Sequence, residues 1–427
     1  MTNAQGRLNV LSLFSGCGGM DLGFEGNFLV HEKSVPPGSE HAGKRVDGER
    51  VLLGRTRFDV VFANDILEEA FVAWSRYFQR EGIYRRESVV DLVKAHRQGI
   101  KVFPSNVDVV TGGFPCQDFS LAGKRRGFDS HKDHHGNLIR GEIADEETRG
   151  KLYFWMKEVI DITRPKLFIA ENVRGLVNLA DVKEIIQRDF SSADDGGYIV
   201  LPPRVLQAAD YGVPQSRERV IFIGIRVAAL NARAKEVLSG SPIPDEYDPY
   251  PCPTHAYTRA GEGLMRPVVL QDIFSSLEEP DKTTDPAQRF YSKAKYMGAH
   301  CQGQREVDPS RVGPTIRSEH HGNIEFRRLS AAHGGKRVDE LARGMIERRL
   351  TPRECALVQT FPPDYPFVVP CPGDGRRFLL SPSAAYKIIG NAVPPLLAYR
   401  IARRVEGLWE LYFGTGVPDR RADRAIP

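Results

Sequence analysis

The sequence lacks long apolar runs and is poor in cysteine. No run of about 18 apolar residues, the length that a membrane-spanning helix needs, occurs in the chain. The opening segment, MTNAQGRLNV, lacks the apolar centre of a secretory signal. The 6 cysteines include no Cys-x-x-Cys pair, which argues against a zinc site, a redox dithiol or a disulfide scaffold. We therefore predict a cytoplasmic protein without a bound metal.

A large net charge is also missing. The formal net charge of +4 permits nucleic-acid binding without arguing for it. Basic residues instead form short local clusters, and the simplest interpretation of any one cluster is a solvated face. These clusters lie at residues 124–126, 327–328, 348–349, 376–377 and 403–404.

The first half of the chain alternates between strand-like and helix-like segments. Apolar runs of strand length are followed by segments with helical spacing, which predicts an α/β fold with a mostly parallel sheet and helices on both faces. In such a fold, ligands bind at the carboxyl ends of the strands. The predicted strands are residues 8–14, 58–63, 107–111, 167–170 and 220–225, and the predicted helices run up to Trp74 and over 151–162, 182–190 and 383–411.

Several stretches interrupt this alternation. Residues 27–57 are polar and rich in proline and glycine, which favours a surface insertion, and residues 129–148 are charged and contain histidines. We predict a catalytic and cofactor-binding domain over residues 1–225, completed by 384–413, and a second domain over 226–383. Residues 414–427 are predicted to be a disordered tail.

A glycine-rich turn, residues 15–19, follows the first predicted strand. Glycine lets the backbone approach a ligand, although many nucleotide-binding folds share this feature. Asp65 ends the next predicted strand and is a candidate acceptor for ribose hydroxyls if 27–57 is an insertion. The alternative for Asp65 is a helix N-cap.

Two further strand ends carry reactive side chains. Cys116 lies in Phe-Pro-Cys-Gln-Asp-Phe-Ser, residues 114–120. A single cysteine is usually a small buried hydrophobic residue. Here Pro115 restricts the backbone just before Cys116, and this rigidity and the strand-end position favour a nucleophile. Glu171 ends another strand and is a candidate general acid, with a helix cap as the alternative.

These segments, taken in order, resemble the motifs of the cytosine-5 DNA methyltransferase family. Six segments match, and the resemblance that they carry extends over residues 8–225 and 348–402, whereas the stretch between these ranges matches only loosely. The matching segments are FSGCGG at 14–19, GFPCQ at 113–117, ENV at 171–173, QSRER at 215–219, LTPREC at 350–355 and GNAVP at 390–394.

The resemblance implies a fold and a reaction. The fold would be a Rossmann-like, S-adenosylmethionine-dependent methyltransferase sheet with a smaller, mixed target-recognition domain. Cys116 would attack carbon 6 of a flipped-out cytosine, Glu171 would protonate or hydrogen-bond ring N3, and Arg219 would hold the carbonyl at position 2 with Arg217 nearby. Carbon 5 would then accept the methyl group, and no metal is required.

The resemblance also implies binding residues. Phe14 would stack on adenine, Asp65 would bind the ribose, and the glycines would approach the methionine part of the cofactor. Ser88 and Ile66 depart from the aspartate and tryptophan that the family often has. The implied cofactor residues are Phe14, Ser15, Gly16, Gly18, Gly19, Asp65, Ile66, Ser88, Pro115 and Asn391. The implied DNA-binding residues are Gln117, Ser120, Lys124, Arg125, Arg126, Thr315 and Arg317.

Two other functions remain open at this point. The first is RNA methylation, although no cysteine here is followed by Phe-Thr, the signature of the family's tRNA-modifying branch. The second is a catalytically inactive DNA-binding or scaffold protein. His131, His134 and His135 could suggest a metal site, but their spacing fits a solvated insertion better.

The biological setting follows by analogy with the family. Because the chain has no long regulatory N-terminal region, we expect a stand-alone prokaryotic enzyme of a restriction-modification system. It would act as a monomer on double-stranded DNA in the nucleoid, without direct contact with the cognate restriction endonuclease.

Overall fold

The architecture is that of a computed structural model, which describes residues 6–38, 43–115, 152–178, 182–194, 196–298, 304–318 and 324–414. Several residues singled out above lie outside the described part of the chain. They are Cys116, Gln117, Ser120, Lys124, Arg125, Arg126, His131, His134 and His135, together with residues 415–427 of the predicted tail.

The strands and helices alternate through the first half of the chain and become short in the second half. The strands are β1 (Leu8–Leu13), β2 (Leu29–His31), β3 (Arg50–Leu52), β4 (Phe58–Asn64), β5 (Tyr84–Arg85), β6 (Val109–Gly112), β7 (Leu167–Val173), β8 (Tyr198–Val200), β9 (Arg204–Gln207), β10 (Glu218–Arg226), β11 (Arg305–Glu306), β12 (Glu325–Arg328), β13 (Arg348–Arg349), β14 (Val369–Cys371) and β15 (Asp374–Leu380). The helices are α1 (Gly19–Glu25), α2 (Glu68–Phe78), α3 (Val89–Arg97), α4 (Leu152–Thr163), α5 (Val182–Ser191), α6 (Ala232–Leu238), α7 (Leu270–Phe274), α8 (Pro286–Arg289), α9 (Val338–Ala342), α10 (Pro352–Val358), α11 (Pro382–Asn391) and α12 (Pro395–Phe413). In the described part of the chain, no helix is both long enough and apolar enough to cross a membrane.

A large sheet organises the first half. Its strand order is β5-β4-β1-β6-β7-β10-β8, with β9 also pairing with β10. The strands from β5 to β7 are parallel, whereas β10 is antiparallel to β7, β8 and β9. The predicted α/β fold with a mostly parallel sheet is therefore confirmed.

The sheet is apolar on both faces because successive residues of each central strand enter different clusters. Val10 and Ile169 belong to one buried cluster with α1 and α12, whereas Leu11 and Phe168 belong to a second cluster with α3, α4 and α5. Burial on both faces explains why these strands have continuous apolar runs instead of alternating with polar residues. The helices therefore cover both faces, as predicted.

Residues 27–57 are more closely integrated than the predicted surface insertion. β2 and β3 pair as an antiparallel hairpin, and Phe28, Val35 and Leu53 are buried in the same cluster as α12. The side chain of Arg400 donates a hydrogen bond to the carbonyl of Ser34 at 3.0 Å. The apolar residues that anchor the hairpin are spaced too irregularly to show a period in the sequence, which is why the segment looked like an addition.

The second half consists of short elements. β11, β12 and β13 form one small sheet, and β14 pairs with β15. Leu270, Ile316 and Leu350 from this half lie in the same buried cluster as Leu397 of α12. The two halves thus share a core, and the domain boundaries at 225 and 383 stay predictions.

The basic pairs at 327–328 and 348–349 do not form the solvated face expected for such clusters. Arg328 and Arg348 are 0% and 3% exposed. Both pair with Glu279, and Arg348 also forms two bonds of 2.8 and 2.9 Å to the Glu354 carboxylate. The sequence did not reveal these partners because they lie up to 69 positions away. We call this group the arginine–glutamate network, and its members are Arg327, Arg328, Arg348, Glu279, Glu340 and Glu354.

Candidate active site

The glycine-rich turn connects the carboxyl end of β1 to the start of α1. Phe14, Gly16 and Gly18 have φ angles of 52°, 53° and 80°, in the left-handed region. A Cβ on Gly18 would lie 2.7 Å from a ring carbon of Trp74, so this position has neither the conformation nor the space for a larger residue. A Cβ on Gly19 would overlap the carbonyl oxygen of Val393. The turn is therefore held close to the backbone that follows Asn391.

Asp65 ties the end of β4 to this turn. Its Oδ2 accepts a hydrogen bond from the backbone N–H of Gly16 at 3.0 Å, and its Oδ1 accepts one from Leu67 at 2.9 Å. The side chain is half-buried, and burial raises the pKa of Asp65 above its ordinary value. The bond from Leu67 is a local contact across two residues, but α2 begins at Glu68 with Leu67 at its N-cap position, so Asp65 is not the helix N-cap of the alternative interpretation. The contact with Gly16 places the carboxylate at the turn. The ribose role stays a prediction.

The other predicted cofactor residues lie along the same edge of the sheet. Ile66 is 42% exposed beside Asp65. Ser88 is buried and caps α3, and the Asn64 side chain at the end of β4 donates to the Glu87 carbonyl at 2.8 Å. Because its hydroxyl accepts a hydrogen bond from the backbone N–H of Val90, Ser88 is a weaker candidate for a ligand contact than the turn.

Asn391 and Pro115 complete the described cofactor candidates. Asn391 is exposed at the last position of α11, and Pro115 is partly buried after β6. The Asn172 side chain donates to the carbonyl of Phe114 at 3.1 Å, which holds this chain segment against the end of β7. This segment leads directly to Cys116, so the backbone that precedes the predicted nucleophile is held in place. Cys116 itself lies outside the described residues.

Glu171 and Arg219 form a buried pair on neighbouring strands. Arg219 Nε lies 2.6 Å from Glu171 Oε1, and the side chains are 11% and 10% exposed. Burial raises the pKa of Glu171, and the positive charge of Arg219 opposes this rise without cancelling it. A Cβ on Gly113 would lie 2.9 Å from the second carboxylate oxygen, Oε2. A carboxyl group whose pKa burial raises above its ordinary value thus sits directly against the segment that leads to Cys116.

Arg217 lies two residues earlier and has different contacts. Its guanidinium donates to the carbonyls of Ile316, Gly390 and Ala392, each at 2.8 Å, and the residue is 1% exposed. These bonds join the start of β10 to the second half of the chain and to the segment after α11. The contacts favour a structural role over the predicted oxyanion contact.

The predicted DNA-facing segment lies beside Arg217. The Thr315 hydroxyl donates to the Ser216 carbonyl at 2.6 Å, and the Ile316 N–H donates to the Gln215 side chain at 2.9 Å. Arg317 follows and is half-exposed. The fold thus brings this segment next to β10, and contact with DNA stays a prediction for both Thr315 and Arg317.

One residue close to the turn was missed by sequence reasoning. Asp21 is 1% exposed on α1 and accepts hydrogen bonds from Ser12 and from the Trp74 indole. The available signal was a carboxylate between the apolar residues Met20 and Leu22, in a helix whose neighbours are buried.

Comparison with known proteins identifies the family. The model of the C-5 cytosine-specific DNA methylases matches residues 8–407. The chain is similar to Type II methyltransferase M.BsuRI of Bacillus subtilis, with 31% identity over 97% of this chain and 83% of that protein. It is also similar to Type II methyltransferase M.BspRI of Lysinibacillus sphaericus, with 30% identity over 93% of this chain and 81% of that protein.

Solved structures support the fold alone. The S. pombe Dnmt2 methyltransferase has a TM-score of 0.53 with 16% identity, and it covers 94% of this chain and 99% of its own. The Entamoeba histolytica methyltransferase EhMeth has a TM-score of 0.54 with 14% identity, over 95% and 99% of the two chains. With the family model matching nearly the whole chain, the protein belongs to the C-5 cytosine-specific DNA methylases and is a DNA cytosine-5 methyltransferase.

Proposed function

We propose that the protein transfers the methyl group of S-adenosylmethionine to carbon 5 of a cytosine flipped out of a specific duplex DNA sequence, through a transient bond to Cys116. The observation that carries the proposal is the buried Glu171–Arg219 pair beside Gly113, where the chain leads into Cys116. A protonated carboxyl group, a guanidinium and a thiol are the groups that activation of a cytosine ring requires.

The residues of the turn fit the cofactor. S-adenosylmethionine supplies an electrophilic methyl group. Gly16 has open space where a Cβ would be, so the backbone can approach a ligand, and the half-buried carboxylate of Asp65 is an acceptor of the kind that ribose hydroxyls need. The exposed Ile66 and the ring of Phe14 offer apolar surface for adenine.

The protein's own groups would act on the ring in sequence. The Cys116 thiolate attacks carbon 6, and Glu171 donates its proton or a hydrogen bond to N3 as negative charge develops there. Addition of the thiolate to carbon 6 makes carbon 5 nucleophilic enough to accept the methyl group, while Arg219 donates to the oxygen at position 2 and stabilises the charge that develops there. The carbon-5 proton is then lost to water, any proton on N3 returns to Glu171, and the Cys116 sulfur departs as a thiolate, which restores the aromatic ring.

The base must leave the stack before this can happen, at a cost of a few kcal/mol. We assign the contacts that hold the flipped strand to the loop after Cys116 and to the segment around Arg317. Thr315 already donates its hydroxyl to a backbone carbonyl, so Arg317 is the stronger candidate for a phosphate contact. The loop residues in this proposal are Gln117, Ser120, Lys124, Arg125 and Arg126.

The biological role that we propose is protection of DNA in a prokaryotic restriction-modification system. It is supported by the similarity to Type II methyltransferases over most of both chains. The protein would act as a cytoplasmic monomer, and the cognate endonuclease would share its recognition sequence without binding to it.

Bisulfite sequencing of DNA from cells that express the full chain tests the proposal. We expect protected cytosines within one short sequence. In vitro, Cys116→Ala should abolish methyl transfer to duplex DNA, because no bond to carbon 6 can form, and should retain binding of S-adenosylmethionine measured by calorimetry. Substantial turnover by this variant would refute the covalent mechanism, and methyl incorporation into transfer RNA alone would refute the DNA substrate.

A further inference from the structure

Asp21 is a buried carboxylate that has no part in the proposed chemistry. It lies in the first turn of α1, directly after the glycine-rich turn, and is 1% exposed among apolar neighbours. Its partners are two donors. The Ser12 hydroxyl lies 2.5 Å from Oδ1, and the Trp74 indole N–H lies 2.7 Å from Oδ2.

These contacts continue to the glycine-rich turn. The Ser15 hydroxyl lies 2.8 Å from Ser12 Oγ and 3.1 Å from the Ser12 carbonyl oxygen and can donate to either, with the shorter contact to Ser12 Oγ. Ser15 Oγ also accepts the backbone N–H of Asn64 at 3.1 Å. In the other direction, the Ser15 N–H donates to the Asn64 carbonyl at 2.8 Å. A single chain of donors therefore runs from the end of β4 through Ser15 and Ser12 and ends on the Asp21 carboxylate.

A carboxylate accepts from Ser12 and from Trp74 at the same time, which leaves Ser12 Oγ free to accept from Ser15. An indole N–H can donate a hydrogen bond but cannot accept one. If Ser12 is to accept from Ser15, its own hydroxyl hydrogen must go to Asp21. Asparagine has the same shape but offers one oxygen and one NH₂ group. If its oxygen accepts from Trp74, its NH₂ faces Ser12, and the Ser12 hydroxyl must turn to donate to Ser15, which reverses the bond between the two serines.

Trp74 also contacts the turn directly. A Cβ on Gly18 would lie 2.7 Å from Trp74 Cδ1, so the indole packs directly against this glycine. The hydrogen bond to Asp21 fixes the plane of the indole. The carboxylate thus supports the turn in two places, at Ser15 through hydroxyls and at Gly18 through the ring.

Stability does not explain why the residue is charged. Burial raises the pKa of Asp21 to about 6, even though Ser12 and Trp74 lower it. The nearby ion pair of Arg80 and Glu25 contributes smaller effects of opposite sign. Because the folded state binds the proton more tightly than the unfolded state does, the ionised group lowers stability at neutral pH relative to a neutral isostere.

We propose that Asp21 is a positioning residue that holds the glycine-rich turn in its cofactor-binding shape by accepting from Ser12 and Trp74 together. The inference rests on the proposed function, since it assumes that this turn binds S-adenosylmethionine. It assigns to α1 a role in cofactor affinity that does not involve contact with the cofactor.

Binding of S-adenosylmethionine to full-length Asp21→Asn, measured by titration calorimetry, tests the proposal alongside urea unfolding. We expect the Kd to rise about tenfold, as loss of one charge-assisted hydrogen bond predicts. The free energy of unfolding at neutral pH should be unchanged or higher. In the methylation assay, KM for S-adenosylmethionine should rise by a similar factor while kcat stays within about twofold.

Asp210→Asn is the matched control. Asp210 is another buried carboxylate, but it accepts from the backbone of Tyr257 and Thr258, away from the turn. This variant should lose stability and keep the wild-type Kd. The two variants would then show opposite patterns, which a purely structural role for Asp21 would not produce.

The outcomes are separable. Wild-type affinity in Asp21→Asn, or a rise in Kd matched by lower stability as in a structural defect, would overturn the inference alone. If the wild-type protein itself fails to bind S-adenosylmethionine, the proposed function fails and takes the inference with it. Should Asp21→Asn not fold, Ser12→Ala decides, since it breaks the same chain with a smaller change: a raised Kd supports the proposal and an unchanged Kd refutes it.

Discussion

Each half of the molecule contains a buried pair of glutamate and arginine, and the two pairs differ in which protonation state the fold favours. In the first half, Glu171 forms one ion pair within the described residues, to Arg219 Nε at 2.6 Å, and burial raises its pKa. In the second half, burial alone would raise the pKa of Glu354, but Arg348 and Arg327 outweigh it and lower the value. Glu354 also accepts the backbone N–H of Thr351 at 2.9 Å.

The difference shows that the number of donors, more than the identity of the residues, decides what a buried carboxylate can do. A carboxylate with two or more strong donors stays ionised and serves as a structural anchor. A carboxylate with fewer donors keeps its proton more readily and can donate it. A glutamate paired with an arginine can therefore act as a general acid in one half of the molecule and stabilise the fold in the other.

The largest expected effect is on the structural pair. Arg348→Met should lower the free energy of unfolding by about 3–5 kcal/mol, because Glu354 would remain buried without its main partner. Urea unfolding of the full chain measures this loss. Arg233→Ala is the control, since its pair with Glu236 is exposed and should contribute nothing measurable. A wild-type midpoint for Arg348→Met would mean that the arginine–glutamate network does not stabilise the second half.

The next effect concerns catalysis. Glu171→Gln should reduce kcat about 100-fold, the lower end for loss of a general acid, because the amide can still donate a hydrogen bond to N3 but cannot transfer a proton. Its stability should be equal to or above that of the wild type, in contrast to Arg348→Met. Single-turnover methylation of duplex DNA gives the rate. A variant that is unstable but retains its rate would reverse the roles assigned to the two pairs.

The smallest effect is the pH dependence of stability, which should have opposite signs for the two carboxylates. The pKa of Glu171 is raised above 4.5 in the folded state, so its contribution to stability is present at low pH and is lost as pH rises through the folded pKa. The pKa of Glu354 is lowered below 4.5, so its contribution is present above that pH and is lost as pH falls.

Unfolding free energies of Glu171→Gln and Glu354→Gln, measured across this pH range against the wild type, check both signs. The advantage of Glu171→Gln should grow as pH rises, and the deficit of Glu354→Gln should shrink as pH falls. Parallel curves for the two variants would contradict the comparison.

The strands of the first half could be predicted from the sequence, because the pattern that indicates them lies within each short segment. The strands β1, β4 and β7 have apolar runs that stand out from their neighbours, and each ends in residues with distinctive chemistry, such as Gly16 and Glu171. Parallel strands bring such ends to one edge of the sheet. The strand ends therefore indicated where a site would lie, whereas the roles of Arg219 and Asn391 came from the family resemblance and the antiparallel direction of β10 was not predicted.

The contacts of the second half could not be predicted from the sequence, because they join residues that are far apart along the chain. In the sequence, Arg348 cannot be distinguished from a surface arginine, because its partner Glu279 lies 69 positions earlier.

Arg217 and Arg219 are also indistinguishable in the sequence. Arg217 donates to three backbone carbonyls, whereas Arg219 pairs with Glu171. No local pattern distinguishes them, since the acceptors belong to segments that meet only after folding.

The packing of α12 on α1 has a consequence for synthesis. Gly23 of α1 lies so close to α12 that a Cβ there would overlap the carbonyl of Pro395, and Glu406 accepts the backbone N–H of Arg57 at 2.7 Å. On the ribosome, the segment that makes the glycine-rich turn emerges long before the helix that covers it. Contacts so distant along the chain form late and slow folding. A chain interrupted before residue 395 would lack α12, so the face of α1 that packs on this helix would be left uncovered.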